Sequence, residues 1–537
     1  MAPVRLGADL DRHERGMAGL ARSTYLASAV SDQRAEDVSR EGTGFVDAFL
    51  RHARTACAAL AAAHVVAFLV VALARIRYPF DLEWLEGGIL QHSYEMLAGR
   101  PVYRTPSADF IAFGYQPLYM AVVAALGRFV GLSLPLARGV SLASTLVVTA
   151  LVGRAVWRET GSVRLAWMAG ATFVALFRVT GYWFDLARVD SLFLALLLAA
   201  LYCARYVDRP WRACLGSAVL LILAYKTKQL ALPFAVIVPA TLFTRDRRAA
   251  LAFIPTIAVP LLLDAWWGQR TTGGWYSFYV SRIPSGQPFH VVRIPAMLSQ
   301  IARDVPWLVV LAVPGCARAL RIGSLSARFQ QTWALAAIVG IVATVVPYAR
   351  PGGFANNLMT TYVFAIIPAF VELHRAEQTF APGVKALLWG ALGAQLVLLG
   401  YDPSSQIPKP EDYAAGEELV AMLRATPGPV LVPDRPWIAV LAGKQPGYHS
   451  SAFWEMSYQD RDDLIPTDLR QRLASGYYEL IVEGVDPARA QLARRWFAPE
   501  LATYYRCDRQ LRLPGRALSP FTGTDTTPRV LCVYRGR

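Results

Sequence analysis

The sequence predicts an all-α membrane protein of about 11 transmembrane helices, with juxtamembrane helices in its first external loop and a small external α/β domain at its C-terminus. Three observations carry this. Of 537 residues, 55% are hydrophobic and only 17% charged, with mean hydropathy above zero; a soluble domain carries about a quarter charged residues. Apolar stretches able to cross a hydrocarbon core about 30 Å thick recur through residues 56–400. Arginines gather in alternate loops, as cytoplasmic loops require. The formal charge of +15 follows from this bias: residues 401–537 hold 17 basic and 17 acidic residues, so the whole excess lies upstream. No basic run interleaved with aromatics occurs in a soluble segment, which argues against nucleic acid as a partner.

Residues 1–55 are polar, mixed in charge and poor in aromatics, and read as a disordered cytoplasmic tail. Spans are expected near 56–74, 137–157, 165–183, 190–206, 213–226, 229–244, 249–267, 306–321, 331–348, 358–372 and 384–400. Basic clusters at Arg51/Arg54, Arg154/Arg158/Arg164, Arg205/Arg209/Arg212, Arg245/Arg247/Arg248, Arg318/Arg321/Arg328 and Arg375/Lys385 place the N-terminus inside. Counting the apolar stretch 116–131 as a span would move every later cluster outside, so it reads as an external juxtamembrane or re-entrant helix. The long external loops are then 75–136 and 268–305, and 56–400 is the transmembrane domain. In 401–537, "GPVLVPD" and "YYELIVEG" alternate like short strands, flanked by helical "AAGEELVAMLRA" and "DPARAQLARRWF", the signature of an α/β domain. Cys57, Cys203, Cys214 and Cys316 fall in apolar segments and read as small buried hydrophobes. Cys507 and Cys532, in strand-like segments of an oxidising compartment, are the candidate disulfide.

The first loop opens with "YPFDLEWLEGGILQHSYEML", which sets Asp81, Glu83 and Glu86 just beyond the first span. Capping of a helix near 81–98 explains acids there through the dipole and orphan amides. It leaves Trp84, Gly87, Gly88 and His92 unexplained. A carboxylate above the bilayer, shielded by Phe80 and Trp84, suits proton abstraction from a hydroxyl nucleophile.

An Asp-x-Glu after the first span, then "AGRPVYRTPSADFIAFGYQPLY", then many spans and an α/β tail resembles the GT-C superfamily of integral-membrane glycosyltransferases. The nearest branch in appearance holds the protein O-mannosyltransferases and the lipid A aminoarabinose transferase, called family 39-like. The resemblance implies transfer of a sugar, with inversion, from a polyprenyl-phosphate carrier to a hydroxyl acceptor at the outer membrane face. It implies Asp81 as base or acceptor-orienting residue, with Glu83 supporting it or helping to hold a divalent cation. Glu86, His92, Tyr115 and Gln116 fall in the same loop and are candidate substrate contacts. The expected partners are a polyprenyl-phosphate-linked sugar and a lipid, glycan or protein acceptor, at the plasma (inner) membrane.

The carrier phosphate needs cations at the external surface, and Arg188, Lys226, Lys228 and Arg350 lie there at span ends, against the usual charge bias. Snorkelling to headgroups is their plain alternative. Asp185 and Asp190 flank Arg188 and read as its ion-pair partners, though an intramembrane acid is also a functional candidate. Asp264 is a helix-end acid of the same kind. Asn356 and Asn357 in "PGGFANN" offer amides to sugar hydroxyls, or form a plain turn. The family's Lys-Pro-Pro before the juxtamembrane helix reads Tyr115-Gln116-Pro117 here, without a cation. Loop 268–305, with Arg270, Arg282, His290 and Arg293 among aromatics and glycines, reads as a mobile cover. No cluster has zinc spacing, and no nucleotide-binding glycine motif follows a strand. A lipid or polysaccharide transporter and a non-catalytic polyprenyl-lipid binder are the alternatives. A transporter would concentrate polar groups at mid-membrane in inverted repeats, and neither pattern is evident.

Overall fold

The computed structural model describes residues 46–321, 323–324, 331–459, 461–484 and 498–536. Most of the expected N-terminal tail, Arg328 and the expected helix 486–497 lie outside the described residues.

Helix α1 (Val46–Arg75) begins about three turns before the expected tail ends, so residues 46–55 are helical. Beyond the first loop, with α2 (Glu86–Leu97) and α3 (Leu118–Val130), follow α4 (Leu134–Thr160), α5 (Val163–Ala175), α6 (Val189–Tyr206), α7 (Pro210–Thr227), α8 (Ile237–Phe243) and α9 (Arg247–Thr271). A further α10 (Arg293–Asp304), α11 (Pro306–Arg321), α12 (Thr332–Tyr348), α13 (Leu358–Thr379) and α14 (Pro382–Leu398) complete the apolar part, and α15 (Pro410–Ala425) starts the C-terminal one. Local sequence sets several ends. Ser133 caps α4 by accepting the Leu136 amide, Pro135 fits its first turn, and Gly161 stops it at φ +69°. Five of the described helices are long and apolar enough to cross a membrane, or seven if the bent pairs α10/α11 and α14/α15 each count as one span. The other expected spans are helical but shorter or less apolar; α5 stops at Ala175. The chain turns beyond it: Gly181 and Tyr182 both take left-handed φ values, and Arg75 fixes that turn by donating to the Tyr182 carbonyl at 2.8 Å.

The C-terminal part is a four-stranded sheet of order β1-β2-β4-β3, from β1 (Val430–Leu431), β2 (Leu480–Glu483), β3 (Tyr505–Gln510) and β4 (Val530–Tyr534). β1 and β2 are parallel, and the remaining pairs antiparallel. A disulfide joins Cys507 on β3 to Cys532 on β4, with Cα atoms 4.1 Å apart. This domain lies directly on the first loop. Residues 78–85 carry unpaired backbone groups, which the C-terminal chain satisfies: Phe521 donates its amide to the Leu82 carbonyl at 2.8 Å, and Glu83 bridges to Thr522. The Tyr448 amide reaches the Ala108 carbonyl at 3.0 Å. Phe80 sits against Gly416, where an added Cβ would fall 2.0 Å from its ring.

Candidate active site

The three acids of the first loop take three different places. Helix α2 begins at Glu86, later than the sequence suggested, and the chain before it folds back. Asp81 is 3% exposed and caps that helix from outside: its Oδ1 accepts the Gly87 amide at 2.5 Å. Its Oδ2 makes no hydrogen bond among the described residues and lies 3.6 Å from Nη1 of Arg435, an arginine of the C-terminal domain. Burial pushes the Asp81 carboxyl up to about 6 against the opposing pull of Arg435.

Glu83 is fully buried and faces Arg188, whose Nη1 donates to both carboxylate oxygens at 2.8 and 2.9 Å. The Leu85 amide adds a third bond at 3.0 Å. Burial pushes this carboxyl up to about 7, outweighing Arg188.

Glu86 is saturated. Arg138 holds it with two guanidinium nitrogens at 2.9 and 2.7 Å, and the amides of Leu82 and Ala187 each donate at 2.7 Å. Burial works against its charge, but Arg138 and these donors keep its carboxyl below the ordinary range. Arg138 also donates to the Phe80 carbonyl at 2.7 Å and to that of Tyr78, pinning the loop to α4. His92 is likewise structural: Nε2 accepts the Phe113 amide at 2.8 Å, so Nδ1 carries the proton and donates to the Gly88 carbonyl at 2.6 Å. Burial pushes the imidazole down to about 4, so it stays neutral. Both residues hold the scaffold and lie outside the cavity wall.

A cavity of about 560 Å³ opens beside this loop. Its wall brings together Tyr115, Arg188, Lys228, Arg350, Asn356 and Asn357, six of the residues expected from sequence. Arg188 Nη2 donates to the Tyr115 hydroxyl at 2.7 Å, so one guanidinium links Glu83 to the cavity. Lys228 donates to Asp190 at 2.7 Å and to Asn357 Oδ1 at 3.4 Å, while Asn356 Nδ2 reaches the same Asp190 oxygen at 3.2 Å. Gly353 permits the turn between Arg350 and these asparagines, since a Cβ there would lie 2.5 Å from the Pro347 carbonyl oxygen. The segment 280–287 of the second long loop adds Val280, Ser281, Pro284, Ser285 and Gln287 to the wall, and Arg293 of α10 braces the Arg350–Gly353 backbone. That loop is mostly helical.

Other expectations part from the structure. Asp81 and Glu83 are not in the cavity wall; Glu83 touches it through Arg188, whereas Asp81 sits behind, under the C-terminal domain. Asp185 pairs with Arg75, and Asp190 with Lys228, leaving Glu83 as the carboxylate on Arg188. Lys226 and Gln116 belong to a separate cluster: Lys226 donates to Asp264 at 2.7 Å and to the Tyr276 hydroxyl at 3.1 Å, and Tyr276 donates to Gln116 at 3.0 Å. Asp81 and Glu83 do not fit a divalent cation, because each turns to a different arginine and no group of three or more metal-ligating side chains forms among the described residues. Sequence reasoning also missed Trp454 and Glu455 of the wall, Arg435, and His449, whose ring nitrogen donates to the Trp84 carbonyl at 2.8 Å. Only their position over 350 residues from the first loop concealed them.

By sequence, no protein-family profile and no curated protein matches the chain. By structure, the chain resembles ArnT from Cupriavidus metallidurans bound to undecaprenyl phosphate, at a TM-score of 0.53 and 16% identity, over 87% of this chain and 97% of that one. The apo state of the same protein gives 0.51 and 15% over the same shares. The chain therefore shares its fold with ArnT.

Proposed function

We propose that the protein is an inverting glycosyltransferase that moves a sugar from a polyprenyl-phosphate carrier to a hydroxyl acceptor at the external face of the plasma (inner) membrane. The observation that carries this is the cavity wall itself, where Arg188, Lys228 and Arg350 converge beside the Glu83–Arg188 pair. Its likeness to a structure solved with undecaprenyl phosphate supports the same donor class. The topology expected from the sequence, with the N-terminus inside and the C-terminal domain outside, supports an external position for this cavity.

In this reading the three cations hold the carrier phosphate, and Asn356 and Asn357 orient the sugar. Glu83, nearer the cavity than Asp81, takes the proton of the acceptor hydroxyl. The acceptor oxygen bonds to the anomeric carbon from the face opposite the phosphate, the carbon–oxygen bond to phosphate breaks, and its electron pair leaves on the phosphate oxygen. Polyprenyl phosphate and an inverted glycoside result. Arg188 serves both partners, so an arriving phosphate competes for the guanidinium that otherwise holds Glu83. Asp81 positions the loop through Gly87 and Arg435.

The test is binding of undecaprenyl phosphate to the purified protein in nanodiscs, with Lys228→Ala and Arg350→Ala alongside, followed by transfer from undecaprenyl-phosphate sugars. Binding weakened in both variants supports the reading. A wild-type protein that binds no undecaprenyl phosphate overturns it.

A further inference from the structure

Helices α6 and α13 both run away from the cavity, and both end at a second, smaller crevice. From Asp190 to Arg205 on α6, and from Leu358 to Glu372 on α13, a rise of 1.5 Å per residue gives roughly 20 Å. The crevice has a volume of about 160 Å³, and its wall includes Glu159, Arg205, Arg318, Trp333, Glu372 and Arg375. It lies at the end of the molecule where the arginine clusters of the sequence gather.

Its charges are layered. Glu372 is 7% exposed and accepts from Arg318 at 2.8 Å and from Arg375 at 3.1 Å, whereas those guanidiniums are 48% and 35% exposed. Glu159 is 20% exposed and pairs with Arg205 at 3.1 Å, itself 30% exposed. The carboxylates thus lie inside and the three guanidiniums outside, with one positive charge in excess. A polar chain stiffens the base: Trp333 donates its indole N–H to the Tyr206 hydroxyl at 2.8 Å, and that hydroxyl donates to Glu159 at 2.6 Å. Each guanidinium carries five N–H groups in a rigid fork, and a carboxylate on one edge leaves the other edge directed outward. Such a ring matches a phosphodiester. The crevice, of about 160 Å³, is of a size to receive that group.

We propose that this crevice binds the phosphodiester headgroup of an anionic phospholipid of the cytoplasmic leaflet, as basic pockets between membrane helices do. The leaflet assignment rests on the topology proposed above; the site does not share residues with the catalytic cavity.

The experiment is native mass spectrometry of the full chain released from phosphatidylcholine nanodiscs that contain cardiolipin or phosphatidylglycerol. The wild type retains the anionic lipid, and the R318Q/R375Q variant retains at least about tenfold less. Undecaprenyl phosphate binding stays the same, which reports intact folding and a separate site. The single variant R318Q, milder because its side chain is half exposed, shows an intermediate loss. Inorganic phosphate in lipid-free detergent is the second arm and leaves the melting temperature unchanged. Equal retention by wild type and both variants, absence of retained lipid, or stabilisation by inorganic phosphate alone would each overturn the proposal.

Discussion

Arg188 gives Nη1 to both oxygens of Glu83, at 2.8 and 2.9 Å, and Nη2 to the hydroxyl of Tyr115 at 2.7 Å. A single buried guanidinium therefore joins the acid of the first loop to the cavity wall.

Replacing Glu83 by Gln keeps the shape and removes the proposed base. Sugar transfer in membranes should fall by about 100-fold or more, while affinity for undecaprenyl phosphate stays near that of the wild type. Asp81→Asn should lower transfer less, because Asp81 caps α2 and does not reach the cavity. An equal collapse in both variants, at normal protein levels, would remove the distinction between them.

Raised carboxyl pKa values give stability and activity opposite dependence on pH. The folded chain retains protons on Asp81 until about pH 6 and on Glu83 until about pH 7, whereas the unfolded chain releases them near 3.8 and 4.5. The folded state binds more protons in that window, so the stabilisation is full below it and is lost as pH rises through 6 to 7. Turnover needs Glu83 ionised and should rise with pH through about 7. Melting temperature and transfer rate measured across this range should run in opposite directions, and Glu83→Gln should flatten the stability profile near pH 7.

Glu86→Gln should act on folding. It leaves Arg138 buried without its anion, a change that costs roughly 3–5 kcal/mol. Pairing it with Arg138→Met should recover part of the loss, read as the melting temperature of the detergent-solubilised protein. If the single variant melts like the wild type, the pair does not hold the loop.

The cross-link between β3 and β4 closes a loop of 25 residues, which by chain entropy contributes about 3 kcal/mol. Alkylation of the unreduced protein should spare Cys507 and Cys532 and modify both only after reduction. Modification of both without reductant would place the domain in a reducing compartment, against an external location.

Much of this was legible in the sequence because it is a matter of local pattern. Long apolar runs between arginine clusters gave helices where expected, and "GPVLVPD" and "RVLCVYRG" became β1 and β4. Cations at span ends were legible too, and Arg188, Lys228 and Arg350 do line one cavity. Ion-pair partners were not. Asp185 is three residues from Arg188 yet pairs with Arg75, because the left-handed turn at Gly181 and Tyr182 reverses the chain. The roles of Asp81 and Glu83 depend on Arg435 and on the Phe521–Thr522 segment, brought in by tertiary packing that no local pattern encodes.

The most direct measurement is a cryo-EM map of the protein in nanodiscs with undecaprenyl phosphate. The account predicts phosphate density within hydrogen-bonding distance of Arg188 and Lys228 or Arg350, in the cavity beside Glu83. Lipid density confined elsewhere, with this cavity unchanged and Glu83 still walled off, would contradict it.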